Sequence, residues 1–476
     1  MNESRALRLL RESLGERVRT DPDSLYRHSF DGMRLAFEHE ADIRVDAPEQ
    51  VGKVLRLANE HRVPVTTRGG GTSLTGSASP AAGGWVLLLD GLDRFEIDPA
   101  NHLARAGAGT IVKDLQDRAR ENGLFYPPDP SSLRHCTIGG NIACNAGGMR
   151  CVKYGVTRDY VVSLRGYLPT GEAVSWGRDL KKFATGYNLR DLWIGSEGTL
   201  GVVTGATLRL IPAPETTWNL LAAFPDERAA LEAAVRLTRD GPRPAILEFL
   251  DRPSVRGAEQ AFGEPIFAGT PGRSLLLVQL DGSRAAVAAD RDALLAWARD
   301  HAEAFRPAPD EEAAERLWEI RRTCSSAMFE LGDSKLNEDV VVPLDRQVEL
   351  VELVERLRRN HRVAIGVFGH AGDGNLHVNI MHHRDDAEES RRAREALGEL
   401  MEGVVGLGGA ISGEHGVGLA KTPFLRLQLG EAELAAMRRI KEALDPHGIL
   451  NPAKIFDPYE VWDKEKEIYR FPWDHR

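Results

Sequence analysis

The spacing of apolar residues predicts both helices and strands in the first half of the chain. Apolar positions at helical spacing predict a helix over residues 46–60, and the short apolar run at 63–67 predicts a strand directly after it. A strand is also predicted over 85–89, a helix over 111–122 and a strand over 161–168.

Three glycine-rich stretches interrupt this order. The loop 68–76 follows the first strand, and residues 126–149 form a long segment rich in Pro, Gly and Ser. Residues 192–203 alternate apolar, strand-like residues with glycine. Because loops longer than about 12 to 15 residues inside a domain are usually functional, we expect a ligand to lie along residues 126–149.

A change of pattern after the turn Ile211-Pro212-Ala213-Pro214 predicts a domain boundary near residue 214. Beyond it the pattern predicts a mixed α+β architecture with one sheet covered by helices. The predicted strands are 218–224, 245–250 and 274–280, and the predicted helices are 227–239, 285–301, 311–331, 345–359 and 432–444.

Length and composition limit the classes of protein that fit. The 476 residues suffice for two or three domains, and 42% apolar with 28% charged residues is typical of a globular chain. A net charge of −10, with both signs interspersed, argues against nucleic acid as a partner. The first residues lack a signal-peptide core and no apolar run approaches the ~20 residues of a membrane span, so we expect a soluble, cytoplasmic protein.

The four cysteines, Cys136, Cys144, Cys151 and Cys324, include no CxxC pair. This spacing argues against an iron-sulfur cluster or a zinc ribbon, and we expect buried, reduced thiols. Any electron transfer must then use another cofactor.

The glycine-rich loop 68–76 offers successive backbone N–H groups that no side chain hinders, an arrangement that binds pyrophosphate. It differs from a Walker A loop because Ser77 stands where that loop requires Lys. It differs from the Rossmann fingerprint because it does not lead directly into a helix, and no acidic residue follows in a βαβ context. For such a loop in isolation, a structural role is nearly as common as a functional one.

Two histidine-bearing stretches near the C-terminal end offer metal and acid-base chemistry. Residues 369–377 and 412–418 contain three imidazoles and a carboxylate, those of His370, His377, His415 and Glu414. A single loop histidine is more often structural, but three within 46 residues favour metal binding. The spacing of seven places His370 and His377 on opposite sides of one straight strand, so their convergence requires a turn or bulge between them.

Six stretches together give the sequence a family resemblance: the glycine-rich loop, Pro130-Ser131-Ser132, residues 137–141, residues 195–201 and the two histidine stretches. It resembles the FAD-linked oxidases of vanillyl-alcohol oxidase fold over residues 46–456. Within them it is similar to the D-2-hydroxy-acid dehydrogenases, which include D-lactate dehydrogenase, the glycolate oxidase flavoprotein subunit and D-2-hydroxyglutarate dehydrogenase.

The resemblance implies an α+β fold with two main domains. An N-terminal helical segment (1–45) precedes a two-subdomain FAD-binding domain (46–214). A substrate or cap domain (215–456) follows, with a helix-covered antiparallel sheet and the metal site, and its C-terminal part returns to the FAD domain. The tail (457–476) either docks a partner or packs on the protein's own surface.

The resemblance also implies FAD, bound without a covalent link, because Gly71-Thr72-Ser73 occupy the region where covalent members carry His. The residues matched to cofactor contacts are Arg68, Gly69, Gly70, Gly71, Thr72, Ser73, Leu74, Gly76, Pro130, Ser131, Ser132, Thr137, Gly139, Gly140, Asn141, Ala143, Gly148, Glu197, Gly198, Gly201, Val202, Val203, Glu414 and Asn451.

The same resemblance assigns roles in the second half. His370, His377 and Glu414 match the ligands of a divalent metal, zinc first, with manganese and iron as alternatives, and His415 matches a catalytic base. Arg321, Lys335 and Asn379 match substrate-binding regions. For Arg321 and Lys335 a solvated helix charge is an equally good and generally commoner interpretation, and Arg322 competes with its neighbour.

The function implied is oxidation of a D-2-hydroxy acid (D-lactate, glycolate or D-2-hydroxyglutarate class) to the 2-oxo acid, with metal assistance and hydride transfer to flavin N5. Electrons would pass to an acceptor other than oxygen: an iron-sulfur subunit, a quinone or a cytochrome. Such a partner could place the protein at a membrane surface, and a homodimer is an option. The alternatives are an alkylglycerone-phosphate synthase-like flavoenzyme, a metal-dependent hydrolase and a non-catalytic flavoprotein subunit.

Overall fold

The computed structural model describes residues 4–269, 272–461, 464, 466–467 and 471–472, and the chain divides into two compact units. The first unit contains the described residues of Met1–Gly147, Val156–Ala213 and Glu414–Asp474. The second contains Gly148–Gly155 and the described residues of Pro214–Gly413. The chain therefore leaves the first unit after Gly147 and again after Ala213, and it re-enters that unit at Val156 and at Glu414.

Both units contain helices and strands. The strands are β1 (Val18–Arg19), β2 (Ala41–Arg44), β3 (Val65–Arg68), β4 (Trp85–Leu88), β5 (Phe95–Asp98), β6 (Leu103–Gly107), β7 (Leu124–Phe125), β8 (Val161–Tyr167), β9 (Ala173–Gly177), β10 (Val202–Arg209), β11 (Ile211–Pro212), β12 (Thr216–Phe224), β13 (Ile246–Leu250), β14 (Ser274–Gly282), β15 (Ala304–Ala308), β16 (Ser334–Val341), β17 (Ala364–His370) and β18 (Asn375–His382). The helices are α1 (Arg5–Leu14), α2 (Pro22–His28), α3 (Pro48–His61), α4 (Val112–Glu121), α5 (Ile138–Cys144), α6 (Cys151–Tyr154), α7 (Leu189–Trp193), α8 (Glu227–Asp240), α9 (Arg252–Phe262), α10 (Arg284–His301), α11 (Glu311–Ala327), α12 (Gln347–His361), α13 (Ala387–Gly406), α14 (Leu425–Gln428) and α15 (Glu431–Leu444).

The first unit begins with a four-stranded sheet in the order β1-β2-β4-β3, in which β4 runs parallel to both β2 and β3. Helix α3 covers it because its apolar positions recur at helical spacing: Val51, Val54, Leu55 and Ala58 are all buried. Proline in the first turn of α3 suits the start of a helix, because the backbone N–H groups of a first turn make no hydrogen bond within the helix and none is lost. Residues of α1 belong to the same core, so the N-terminal segment is part of this unit.

Besides the short antiparallel pair β11-β7, the first unit contains a five-stranded antiparallel sheet, β5-β6-β10-β8-β9. Helix α5 packs against it, within residues that the sequence pattern predicted to be a loop. Thr137 caps this helix by accepting a hydrogen bond from the Gly140 N–H. Gly139 allows close packing, because a Cβ there would lie 2.7 Å from that of Ala108. Gly139, one of the glycines that suggested a loop, therefore allows the helix to pack closely on the residue that follows β6.

Residues 192–203 also differ from the predicted strand. Helix α7 ends at Trp193, and β10 begins only at Val202. The connecting turn includes Gly195, Glu197 and Gly198 at positive φ, a conformation that breaks a strand.

The second unit is built on one seven-stranded sheet in the order β15-β12-β14-β13-β17-β18-β16, with antiparallel pairing throughout. Helices α9 and α11 pack on one face, where Leu250, Phe368 and Met381 meet Val255 and Ile320. Every residue of β18 is buried, so this strand is covered on both faces. The predicted α+β class with a helix-covered antiparallel sheet is confirmed.

The C-terminal tail packs on the first unit where the structure describes it. Tyr459 lies beside Phe37, with ring centroids 5.9 Å apart, and Phe471 lies beside Phe30 at 5.6 Å. The tail aromatics Trp462, Tyr469 and Trp473 lie outside the described residues. Among the described residues, no helix is both long enough and apolar enough to cross a membrane.

Candidate functional site

The glycine-rich loop begins where β3 ends and passes closely over the backbone around residue 136. A Cβ on Gly70 would lie 2.1 Å from the carbonyl oxygen of His135, and one on Gly69 would lie 2.3 Å from Oγ1 of Thr137. Gly71 adopts a φ of +69°, which side-chain-bearing residues rarely adopt. These three positions therefore require glycine for the path of the loop itself.

This loop borders a cleft of about 220 Å³ in the first unit. Most of the predicted cofactor residues line it: Arg68, Gly69, Gly70, Gly71, Thr72, Ser73, Leu74, Pro130, Ser131, Ser132, Thr137, Gly139, Gly140, Asn141, Ala143, Glu197, Glu414 and Asn451. His415, the predicted base, lines the same cleft. The sequence did not single out the other lining residues, which are Thr67, Ser77, Ala78, Leu89, Ala108, Cys136, Cys144, Ala146 and Gly147.

The remaining predicted cofactor residues do not line this cleft: Gly76, Gly148, Gly198, Gly201, Val202 and Val203. Two of the glycines are explained by packing. A Cβ on Gly201 would lie 2.2 Å from the Trp193 ring, and one on Gly198 would lie 2.5 Å from Oγ1 of Thr67. Gly148 belongs to the second unit.

The cleft contains hydrogen-bond donors that the protein leaves unsatisfied. The backbone N–H groups of residues 69–74 donate to no acceptor in the described part of the chain. The side-chain nitrogen of Asn141, which is buried, also has no hydrogen-bond partner there. Successive backbone N–H groups bind anions, and a buried side-chain donor such as that of Asn141 is rarely left unpaired, so these groups fit a ligand rich in acceptor oxygens, such as a dinucleotide diphosphate.

The segment that carries Glu414 and His415 is fixed to this cleft by several protein groups of the first unit. Cys144 donates from Sγ to the Glu414 carbonyl oxygen at 3.2 Å, and Thr75 donates from Oγ1 to the His415 carbonyl oxygen at 3.3 Å. The N–H groups of Val417 and Gly418 donate to the buried carboxylate of Glu197. Burial raises the pKa of Glu197.

The second unit brings two of the predicted metal ligands together. His370 ends β17 and His377 lies in the adjacent antiparallel strand β18, so the turn of residues 371–374 reverses the chain between them. Their ring centroids are 5.2 Å apart with the rings nearly perpendicular. This hairpin is the turn that the spacing of seven required.

Two buried acids lie beside these histidines. Glu248, on β13, approaches His370 Nδ1 with one oxygen at 2.5 Å and accepts from Arg321 Nε with the other at 2.5 Å. Burial alone would raise the pKa of Glu248, but the charges of His370 and Arg321 lower it to about 2. Asp339, on β16, lies 4.0 Å from His377 Nδ1.

Neither acid was among the predicted site residues. Glu248 does leave a signal, because it is a charged residue inside an otherwise apolar strand, Ile246-Leu247-Glu248-Phe249-Leu250. Acids are almost never fully buried without a partner. An isolated acid within an apolar strand therefore predicts a buried, partnered carboxylate.

The predicted substrate-binding residues lie on the same sheet or on α11. Arg321 stacks over Phe368 at 4.7 Å, whereas Arg322 is half exposed and pairs with Glu315. Lys335 lies over the Phe329 ring at 5.3 Å. Asn379 is fully buried opposite Asn337, and the side-chain oxygen of each is buried without a hydrogen-bond partner among the described residues. Of the two competing arginines, only Arg321 contacts the sheet residues Glu248 and Phe368.

Comparison with known proteins gives two family matches. Residues 213–455 match the model described as "FAD linked oxidases, C-terminal domain", and residues 40–177 match the model described as "FAD binding domain". Glycolate oxidase subunit GlcD of Bacillus subtilis is 40% identical over 412 residues, which is 86% of this chain and 87% of that one. D-lactate dehydrogenase of Anaerostipes hadrus is 35% identical over 429 residues, 87% of this chain and 89% of that one.

A solved structure extends the comparison to the fold. The structure of p-cresol methylhydroxylase with substrate bound superposes with a TM-score of 0.77, covering 95% of this chain and 96% of that one at 17% identity. At this level of identity the likeness is one of fold alone.

Proposed function

The chain belongs to the FAD-linked oxidases, and on this basis we propose that it oxidises a D-2-hydroxy acid to the 2-oxo acid with FAD as cofactor. Two relatives are named glycolate oxidase subunit and D-lactate dehydrogenase, and glycolate and D-lactate are both 2-hydroxy acids. We therefore place the substrate in the class that contains glycolate, D-lactate and D-2-hydroxyglutarate.

The unsatisfied N–H groups of residues 69–74 are the observation that carries the assignment of the cleft to FAD. They suit the diphosphate, and the Asn141 side chain adds one more donor. We propose non-covalent binding, because the loop offers Gly71, Thr72 and Ser73 and no histidine. When bound, FAD supplies the acceptor for the hydride that leaves the substrate Cα.

We propose that His415 accepts the proton of the substrate hydroxyl. His415 lines the cleft, and its backbone carbonyl oxygen accepts a hydrogen bond from the Thr75 hydroxyl. A neutral imidazole is a suitable proton acceptor near neutral pH.

We further propose that His370, His377 and Glu414 bind a divalent metal ion, zinc first, with manganese and iron as alternatives. Two imidazoles and a carboxylate are a common ligand set for such ions. The carboxylate of Glu248 at His370 Nδ1 supports this role, because a carboxylate at that nitrogen orients a ligating imidazole and makes it more basic. When bound, the ion supplies a Lewis acid that lowers the pKa of the substrate hydroxyl.

We propose that Arg321 binds the substrate carboxylate and that Lys335 and Asn379 make further contacts with the substrate. Glu248 accepts from Nε of Arg321, which fixes the direction of the guanidinium, and the guanidinium carries further N–H donors on its terminal nitrogens. The unpartnered side-chain oxygen of Asn379 suits a donor such as a hydroxyl group.

For the electron acceptor we propose a partner protein. A relative is named as a subunit of glycolate oxidase, and an iron-sulfur subunit is the form of partner that we favour, with a quinone or a cytochrome as alternatives. Location in the cytoplasm, attachment to a membrane through this partner and a homodimeric state are parts of the same proposal.

The proposal is tested by anaerobic bleaching of the bound flavin with a panel of glycolate, D-lactate, L-lactate and D-2-hydroxyglutarate. We expect at least one of glycolate and the D-acids to bleach the flavin, and L-lactate to leave it oxidised. His415→Ala should slow bleaching by about 100-fold or more. His383→Ala, which removes an exposed imidazole paired with Glu389, is the matched control and should bleach at the normal rate.

The same experiment separates the alternatives. A metal-dependent hydrolase or a synthase of the alkylglycerone-phosphate type would show no bleaching by any 2-hydroxy acid. A non-catalytic flavoprotein would bind FAD, and His415→Ala would change nothing.

A further inference from the structure

Glu197 lies in the turn between α7 and β10, and protein donors surround its carboxylate. One oxygen accepts from the Val417 N–H at 2.8 Å. The other accepts from the Ser77 hydroxyl at 2.7 Å and from the Gly418 N–H at 2.8 Å. All of these residues belong to the first unit. Glu197 therefore joins Ser77, directly after the glycine-rich loop, to the chain just after His415.

The seven residues 414–420, here called the histidine segment, make further bonds to the same loop. The carbonyl oxygen of Thr75 accepts from the Leu419 N–H at 2.7 Å, and its hydroxyl donates to the His415 carbonyl. Gly416 has a φ of +81°, and a Cβ there would lie 2.9 Å from the Glu197 carboxylate. The histidine segment thus passes directly over this acid.

We propose that Glu197 is a positioning residue that fixes the histidine segment to the glycine-rich loop, and so holds His415 at the cofactor cleft. This role differs from the cofactor contact that the family resemblance implied. It rests on the proposed function for the importance of His415, but the attachment itself can be tested without catalysis.

The geometry explains why glutamate is required. Glutamine has nearly the same shape but carries an NH₂ group in place of one oxygen. In either orientation that NH₂ faces a backbone N–H, of Val417 or of Gly418, so a repulsive pair of donors replaces one hydrogen bond. Aspartate keeps the charge, but its side chain is one methylene shorter and cannot span the same distance.

Hydrogen–deuterium exchange of the FAD-loaded full chain measures the attachment. In Glu197→Gln, amides of residues 414–420 should exchange at least about tenfold faster, because bonds to a charged acceptor are lost. Asp42→Asn is the matched control. It alters another buried acid of the first unit, whose bonds go to Ser24, His28 and His39, and should leave these amides unchanged.

Unchanged exchange of residues 414–420 in Glu197→Gln would overturn the proposal. Equal acceleration across the whole first unit would also overturn it, because Glu197 would then support the fold in general. If Glu197→Gln does not fold, Glu197→Asp decides by the same criteria, because it retains the charge.

Steady-state kinetics give the second measurement. Displacing His415 should lower kcat by about 10- to 100-fold, with FAD content retained and the KM for the hydroxy acid nearly unchanged. A changed KM with normal kcat would contradict a positioning role. If His415→Ala keeps full turnover, the proton-acceptor assignment fails, while the exchange result still stands on its own.

Discussion

Replacing Glu248 with Gln tests the arrangement beside His370. The carboxylate is fully buried and contacts two groups at once, His370 Nδ1 and Arg321 Nε. The amide of Gln offers one acceptor oxygen, so it can bond to one of them while its NH₂ faces the other. The substitution also removes the negative charge beside the Arg321 guanidinium, whose side chain is only 13% exposed.

The cost follows from the buried charge. Removing one partner of a buried ion pair typically costs about 3 to 5 kcal/mol, because the other charge is left uncompensated. The one retained hydrogen bond places this case near the lower end, at about 3 kcal/mol. For a unit of roughly 200 residues, that corresponds to a fall of about 6 to 12 °C in the melting temperature. The affinity for the proposed metal ion should fall by about 10- to 100-fold, because His370 loses its orienting acid.

Thermal unfolding followed by circular dichroism measures the first effect, and competition with a chromogenic chelator measures zinc affinity. The control is Glu315→Gln on α11, where an exposed pair with Arg322 is lost and less than about 1 kcal/mol is expected. A melting temperature of Glu248→Gln equal to that of the control would refute the stability argument. Zinc affinity equal to that of wild type would refute the role of Glu248 at the metal site.

Three further predictions concern single residues. Gly70→Ala should lower the FAD content of the purified protein several-fold, because its Cβ would lie 2.1 Å from the backbone oxygen of His135; absorbance of the bound flavin measures this. Gly398→Ala, in α13 with open space around it, should raise stability by about 0.5 to 1 kcal/mol in urea unfolding and leave FAD content unchanged. Burial opposes ionisation of Asp42, but hydrogen bonds from His28 and His39 outweigh it and hold its pKa below the usual range. The stability that Asp42 contributes is therefore present at neutral pH and lost as the pH falls below about 4, and Asp42→Asn should be less stable at pH 7 by about 2 kcal/mol, with the difference shrinking in acid.

The spacing of apolar residues was sufficient to predict helices and strands that bury one face. Helix α3 was predicted over residues 46–60 and spans Pro48–His61, because Val51, Val54 and Leu55 mark its buried face. Helix α5 was missed because glycine and alanine carry its contact with the sheet, and small residues give no periodic signal. The hairpin of β17 and β18 was missed as a pair of strands because almost all of its residues are buried, which removes the alternation of apolar and polar positions.

For a related reason, only some of the residues of the candidate site could be predicted from the sequence. The glycine-rich loop and the histidines occur in short local motifs, and the structure brings most of the matched cofactor residues to one cleft. The acids that fix them lie far away in sequence: Glu248 is 122 residues from His370, and Glu197 is 220 residues from Val417. These pairings depend on how the strands align in the sheet and on where the chain re-enters the first unit. Neither can be predicted from a local sequence pattern.

Burying a carboxylate is costly unless donors surround it, so Glu197 and Glu248 require an explanation beyond stability. Apolar residues of similar size would often stabilise such positions as well or better. Each acid instead accepts bonds from groups that adjoin a predicted functional histidine: Glu248 from His370, and Glu197 from the amides that follow His415. These bonds fix the orientation of His370 and the position of the chain that carries His415. Loss of turnover in Glu197→Gln and Glu248→Gln should therefore exceed what their lower stability explains, whereas Asp42→Asn should lower stability and leave turnover of the folded enzyme unchanged.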